Sequence, residues 1–139
     1  MRLITGMLAD AATVAEGKLY VHGGGWNTIH TAALPTTHPA LTVVLVIEFG
    51  WSETNDHQLA VQLFDEDDQP VGVDAFGALQ VGHPPGLAQG APVEMPLAVP
   101  FTNVTFANKG RYHFKVGVDG DELGRIGFAI NVAPQPATR

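Results

Sequence analysis

The stretch Gly17–His30, read GKLYVHGGGWNTIH, decides the fold of this chain. Two short runs typical of β-strands flank three consecutive glycines, Gly23, Gly24 and Gly25. Glycine adopts positive φ without steric cost, so a bulge or a tight turn is expected here. We therefore predict a structural role for these glycines, in which they bend an inner strand and direct Trp26 into the core.

Outward from this stretch, the chain repeats short apolar runs between turn signals. It contains 16 glycines and 10 prolines, and no window carries the i, i+3, i+4, i+7 spacing of an amphipathic helix. The first strand is expected over Arg2–Leu8, followed by a connector that ends at a turn. Ala40–Phe49 is apolar on both faces, so this strand should be central or covered on both sides. Pro96 and Pro100 cannot donate to a ladder, which predicts an edge strand.

These runs predict eight or nine strands in one domain, residues 1–132, with a flexible tail over 133–139. Parallel pairing requires long crossover connections, and no candidate for one is visible. The expected fold is therefore all-β, a two-sheet antiparallel β-sandwich with the general shape of an immunoglobulin domain. A small barrel is the alternative.

Composition narrows the classes of function. The net charge is −7 with only seven Lys and Arg, so the basic stripe that nucleic acid or an anionic membrane surface requires is missing. No apolar run approaches the roughly 20 residues of a transmembrane helix. Cysteine is absent, which suits a reducing compartment. We predict a cytoplasmic protein with neither a nucleic-acid nor a membrane partner.

The candidate catalytic and metal-binding groups form no recognisable constellation. The glycines precede a strand-like run, whereas a phosphate loop precedes a helix. Acidic residues cluster at 65–68 and at 119–122, and would bind Ca²⁺ only if the two turns met. The six histidines are scattered, and Ser52 lacks a nucleophile-elbow context. We predict no catalytic residue, metal or cofactor, with a metal-dependent or hydrolytic enzyme as the weakest alternative.

The loop Trp51–His57, read WSETNDH, is the most distinctive polar stretch. A tryptophan beside amide and imidazole groups is typical of loops that bind sugars or protein partners. The favoured interpretation is nevertheless a tryptophan folded back as a lid on the core, with local turn hydrogen bonds. The alternative is a small-ligand or carbohydrate site formed by Trp51, Asn55 and His57.

A second apolar face predicts self-association. If Ala40–Phe49 pairs with the next strand as a hairpin, Val44, Val46 and Phe64 share the face opposite the core. That face must be covered by the N-terminal strand, by the loop at 82–92 or by another subunit. The leading prediction is a non-enzymatic binding or assembly module, a homo-oligomer or the binder of a protein partner.

Several segments together resemble a known family. These are LAD near the start, GKLYVHGGGW, WSETNDH, LFDEDDQPV, GHPPGLAQG and GRYHFKVGVDG. In this order they are similar to a family of small bacterial proteins, frequent in actinobacteria and catalogued only as a domain of unknown function. The family carries Gly where this chain has Asp68, and Arg or Lys near His83. The resemblance implies a stand-alone all-β domain, without known activity, cofactor or site residues.

Overall fold

A computed structural model describes residues 1–133 as two packed β-sheets. The nine strands are β1 Arg2–Ala15, β2 Lys18–Trp26, β3 Thr28–Thr31, β4 Thr36–Phe49, β5 Asp56–Asp65, β6 Pro70–Gln80, β7 Val93–Phe106, β8 Gly110–Val118 and β9 Asp121–Val132. One turn of 3₁₀ helix, Trp51–Glu53, precedes β5. The predicted all-β sandwich is confirmed. The tail predicted at 133–139 lies, except for Ala133, outside the described residues.

The two sheets divide the strands in a way that local pattern does not reveal. The four-stranded sheet has the order β2-β1-β4-β7, and the five-stranded sheet has the order β3-β9-β8-β5-β6. One pair, β3 with β9, is parallel, which corrects the expectation of purely antiparallel sheets. The five strands between β3 and β9 supply the long connection that a parallel pair requires.

The first strand is longer than predicted. Beyond Leu8 the chain forms no connector, because β1 continues to Ala15 and folds back as a hairpin onto β2. The turn is made by Glu16 and Gly17, with φ of 53° and 73°. Positive φ at both central residues matches the right-handed twist of the flanking strands, which explains why this two-residue turn sustains so long a hairpin.

The main core lies between the sheets and is formed by alternate residues of most strands. Its largest fully buried members are Phe49, Phe106, Phe114, Phe128, Leu8, Leu41, Leu45, Ile47, Leu63 and Ile130. Val44 is also fully buried, although it lies on the opposite face of β4 from Val43 and Leu45. The edge strand β2 approaches the other edge strand, β7, so the four-stranded sheet is curled. Val44 is buried because this curl brings the N-terminal hairpin over it.

Four strands have one free edge each: β2 and β7 in one sheet, β3 and β6 in the other. Pro96 and Pro100 lie in β7, so the predicted edge position of this strand is confirmed. β3 is only four residues long, and β2 is interrupted by the glycine bulge. Proline, short length and bulges are the usual means by which proteins prevent pairing at a sheet edge. The edge strand β6 begins with Pro70 and has a bulge at residues 71–73, where Gly72 has φ of 80°, but its remaining span Asp74–Gln80 pairs with β5 without interruption.

Candidate functional site

The most tightly held polar group is His57 at the start of β5. Its side chain is 5% exposed, and its ring packs against Phe49, with centroids 4.9 Å apart. The Nδ1 atom lies 2.6 Å from Oδ2 of Asp119, and the Nε2 atom lies 2.6 Å from the carbonyl oxygen of Glu53. Both partners are acceptors, so this arrangement favours the doubly protonated imidazole, in which both ring nitrogens donate. His57 therefore joins three segments through its ring.

The carboxylates around His57 are fixed in turn. Asp119 Oδ1 accepts from the backbone N–H of Gln58 at 2.8 Å, and this bond, followed by that from His57, lowers the pKa of Asp119. Glu53 accepts from the amino group of Met1 at 2.7 Å and from the N–H of Gly50 at 2.8 Å, and these contacts lower its pKa. Burial alone lowers the pKa of His57, but its bonds to Glu53 and Asp119 outweigh burial and raise it.

The raised pKa of His57 predicts a stability that declines in alkali. The folded state holds this proton more tightly than the unfolded chain, whose histidine titrates near pH 6.5. The contribution is therefore complete below about pH 6.5 and is lost as the pH rises through the higher folded-state value. Urea denaturation of the wild type and of His57→Gln, from about pH 5.5 to 8.5, measures it. If the free energy of unfolding changed equally with pH above 6.5 in the two proteins, the raised pKa of His57 would be refuted. The exposed His22→Gln variant is the control.

The structure brings the predicted ligand residues Trp51, Asn55 and His57 to one end of the sandwich. There the rings of Trp51 and His57 contact other residues, and Asn55 forms a backbone hydrogen bond. The ring of Trp51 stacks on His83 with centroids 3.5 Å apart, and Nε2 of His83 donates to the carbonyl oxygen of Trp51 at 3.0 Å. The carbonyl oxygen of Asn55 accepts from the N–H of Val81. This end is therefore a clasp between the 3₁₀ turn and the loop after β6. A ligand site at these residues stays a prediction.

The glycine stretch forms a bulge in β2. Leu8 pairs with Trp26 and Ala9 with Gly24, so Gly25, with φ of 86°, is the extra residue on β2. Trp26 is partly buried and packs against the core. Within residues 1–133, its indole Nε1 is the one buried side-chain nitrogen or oxygen without a hydrogen-bond partner. An open groove of about 330 Å³ adjoins it, lined by Asp10, Trp26, Thr28, Ile29, His30 and His38.

Gly24 is required for close packing rather than for backbone freedom. A Cβ at this position would lie 2.6 Å from Cγ1 of Val21 and 3.2 Å from the sulfur of Met7. We expect Gly24→Val to lower the free energy of unfolding by about 2 kcal/mol through overpacking. Gly77→Val in β6 is the matched control, because a Cβ there meets nothing within 4 Å. Thermal melts decide, and an unchanged melting temperature for Gly24→Val would contradict this account.

The two acidic turns lie at opposite ends of β5. Asp119 contacts Gln58 near the start of β5, whereas the turn of Asp65 to Gln69 follows its end. Asp68, in the left-handed conformation with φ of 60°, is bound by Lys115 at 2.8 Å and by His113 at 2.9 Å. Among residues 1–133, no three histidine or carboxylate side chains are placed to hold a metal ion. The arrangement is a set of ion pairs on the outer face of the five-stranded sheet.

The predicted interface residues Val44, Val46 and Phe64 do not share a face. β4 does not pair with β5, so the supposed hairpin is wrong: Val44 and Val46 belong to one sheet and Phe64 to the other. Val44 has no exposed surface and pairs with Met7 of β1 in the four-stranded sheet. Phe64 stacks on His113, and the Nζ of Lys115 lies 4.0 Å from its ring centroid. An oligomer interface at these residues remains a prediction.

Sequence reasoning missed Phe76, the most exposed large apolar side chain among the described residues, at 71%. It lies on the free-edge strand β6, opposite Ala60 of β5. The signal was present in the sequence. Alternation along β6 places Phe76 on the same face as Asp74 and Gln80, which is the polar, outward face. A phenylalanine in that position has no core to enter.

Residues 5–131 match the model of a family described as Family of unknown function (DUF6941). The match confirms the resemblance to an uncharacterised family. No curated protein matches the chain. Among solved structures, the chain is similar to the Pseudomonas fluorescens alkylpurine DNA glycosylase AlkC bound to DNA containing an abasic site analog, at 14% identity and a TM-score of 0.39. That likeness covers 76% of this chain and 28% of the glycosylase chain. Within the described residues, no helix has the length and apolarity to cross a membrane.

Proposed function

We propose that this chain, which belongs to the family of unknown function DUF6941, is a non-enzymatic assembly module that self-associates through its five-stranded sheet. The observation that carries the proposal is the free edge at β6 together with the exposed ring of Phe76. A free edge presents unpaired backbone N–H and C=O groups, which are a template for pairing with another strand. The alternative form of this proposal is a different protein that supplies a strand to the same edge.

The contacts of the titratable groups support a structural rather than a catalytic use. Both ring nitrogens of His57 are occupied, and Asp119 accepts from His57 and from the backbone of Gln58. Asp68 is bound by Lys115 and by His113. A general base requires an available lone pair within reach of its substrate. These groups instead form hydrogen bonds that connect loops to strands.

Sedimentation velocity over a wide concentration range tests the proposal. An edge-to-edge contact is smaller than a standard interface, so we expect a dissociation constant of about 10–100 µM. The average mass should rise from that of the 14.7 kDa chain toward that of a dimer between about 5 and 500 µM. A chain that stays monomeric throughout this range would refute self-association.

A small-ligand binder is the second candidate function. The groove beside Trp26 favours it, because the indole N–H lacks a partner and two histidines and a carboxylate line the same groove. An unpaired buried donor costs about 1–3 kcal/mol, which an acceptor on a ligand would recover if the side chains moved to admit it. The loop of Trp51, Asn55 and His57 is the other place for such a ligand. NMR titration with simple sugars distinguishes the two sites, because a ligand in the groove shifts the indole signal of Trp26 and a ligand at the loop shifts that of Trp51. If neither signal shifts, this candidate function is rejected.

We also propose a cytoplasmic location in bacteria. The absence of cysteine supports it, since a chain without thiols needs no oxidising compartment and risks no unwanted disulfide. Fractionation of cells that produce the protein is the test, and recovery from the extracellular fraction would refute it.

A further inference from the structure

We infer that β6 pairs antiparallel with β6 of a second copy of this chain, about a twofold axis through Phe76. The two five-stranded sheets then become one continuous sheet across the dimer. This inference rests on the proposed self-association and adds to it the strand, the register and the symmetry.

The backbone of β6 determines which groups are available. Directly beyond the paired ends of the two strands, Val81 donates its N–H to the carbonyl oxygen of Asn55, and hydrogen-bonded pairs alternate along an antiparallel ladder. Counting back along the register places Leu79, Gly77 and Ala75 in hydrogen-bonded pairs with β5. The residues that alternate with them, Asp74, Phe76, Ala78 and Gln80, therefore direct both backbone groups away from β5. These four outward positions are what a further strand would bind.

A second copy is the occupant that fits this edge. Antiparallel pairing about a twofold axis places each strand against itself, so every outward N–H meets an outward C=O without a new sequence being required. The other three edges carry prolines, a glycine bulge or too few residues to pair in this way. The overall charge of −7 opposes contact between copies over most of the surface, but Asp74 is the one charged residue of β6.

The position of that charge selects the register. An axis through Asp74 would place two carboxylates opposite each other, which is destabilising. An axis through Phe76 places Asp74 opposite Ala78 of the other copy, and Phe76 opposite Phe76. The two rings then lie side by side on the outer face, where each is 71% exposed in the single chain. Cross-strand aromatic pairs stabilise sheets beyond the area that they bury.

The first test compares matched substitutions on edge strands of the two sheets. Phe76→Asp should weaken dimerisation by about 10-fold or more, since it removes the aromatic pair and adds two facing carboxylates. Tyr20→Asp is the control, because Tyr20 is 49% exposed on the edge strand β2. Ala78→Pro removes an outward N–H while sparing the ladder to β5, and should weaken association similarly. Circular dichroism verifies that each variant is folded.

The second test reads the register directly and leaves Phe76 in place. The chain has no cysteine, so single thiols can be introduced without a background. Under mild oxidation, a mixture of Asp74→Cys and Ala78→Cys chains should form a disulfide-linked dimer. Hydrogen-bonded partners are about 5.5 Å apart at Cα, which a disulfide can span. Each variant alone should not cross-link, because in this register the two copies of position 74, or of position 78, are not opposite each other. Asp74→Cys mixed with Gln80→Cys is the control for an axis shifted by one residue.

The outcomes separate this inference from the proposed function. Association that survives Phe76→Asp, or cross-linking in the Asp74 and Gln80 mixture instead, overturns the inference and leaves self-association standing. A wild-type chain that is monomeric at about 500 µM overturns both. Loss of association in Phe76→Asp together with the Asp74 and Ala78 cross-link supports the inference.

Discussion

Val44→Asp is expected to unfold the protein at room temperature. Val44 has 0% of its surface exposed and lies between Met7 and Ala98 on neighbouring strands. Burying a carboxylate there without a partner costs several kcal/mol, about 4 or more, and forces either protonation or unfolding. Domains of this size are stable by only about 5–15 kcal/mol. Far-UV circular dichroism and urea denaturation of the purified variant measure the result.

Val46→Asp is the matched control for this substitution. Val46 lies on the same strand and the same face, but it is only partly buried, so its carboxylate can reach water. We expect a loss of about 1–2 kcal/mol, with a folded protein at room temperature. A folded Val44→Asp variant that only lost self-association would show instead that Val44 belongs to an interface and that the hairpin does not cover it.

His57→Ala is expected to lower the free energy of unfolding by about 3 kcal/mol. The substitution removes the buried ring beside Phe49 and two hydrogen bonds from a charged donor. Such bonds contribute about 1.5–3 kcal/mol each when net effects are counted, and the emptied space adds a cavity term. The carbonyl oxygen of Glu53 then lacks its donor. Asp119 is partly exposed and becomes hydrated, which keeps the loss below the sum of the parts.

The control for His57→Ala is His22→Ala, an exposed histidine of β2 that forms no ion pair within the described residues. Urea denaturation near pH 6 gives both values, since the raised pKa of His57 favours its protonated form there in the folded state. A loss below about 1 kcal/mol for His57→Ala would show that the hydrogen bonds of His57 to Asp119 and Glu53 are dispensable for stability. In that case a catalytic or ligand-binding use of His57 would regain weight over the structural one.

The β6 pairing gives the exposed phenylalanine a physical reason. In the single chain Phe76 exposes its apolar ring to water, which is unfavourable. When Phe76 of one copy lies opposite Phe76 of the other, part of each ring is buried, which is favourable. The same reasoning explains why the phenylalanine lies in Asp74–Gln80, the part of the β6 edge that contains neither proline nor a bulge. The unpaired N–H and C=O groups of an edge strand are either shielded from pairing or used to pair with another strand.

Local chemistry alone determined much of the fold. The period-2 alternation in Ala40–Phe49 and in Arg111–Val118 requires strands, since only that geometry places every second side chain on one face. Pro96 and Pro100 required an edge, because proline has no N–H to donate. Each of these properties belongs to a residue and its near neighbours, so the sequence contains it in full.

Tertiary structure decided which strands meet, and with them the candidate site. Nothing local states that β4 pairs with β1 and β7 rather than with β5, because every apolar strand offers the same backbone groups. The ring of His57 gained its carboxylate partner only when folding brought Asp119 to it from 62 positions away. The curl of the four-stranded sheet decided that Val44 is internal, and the free edge at β6 decided that Phe76 is not. Burial and pairing are sums over long-range contacts, and no short stretch contains them.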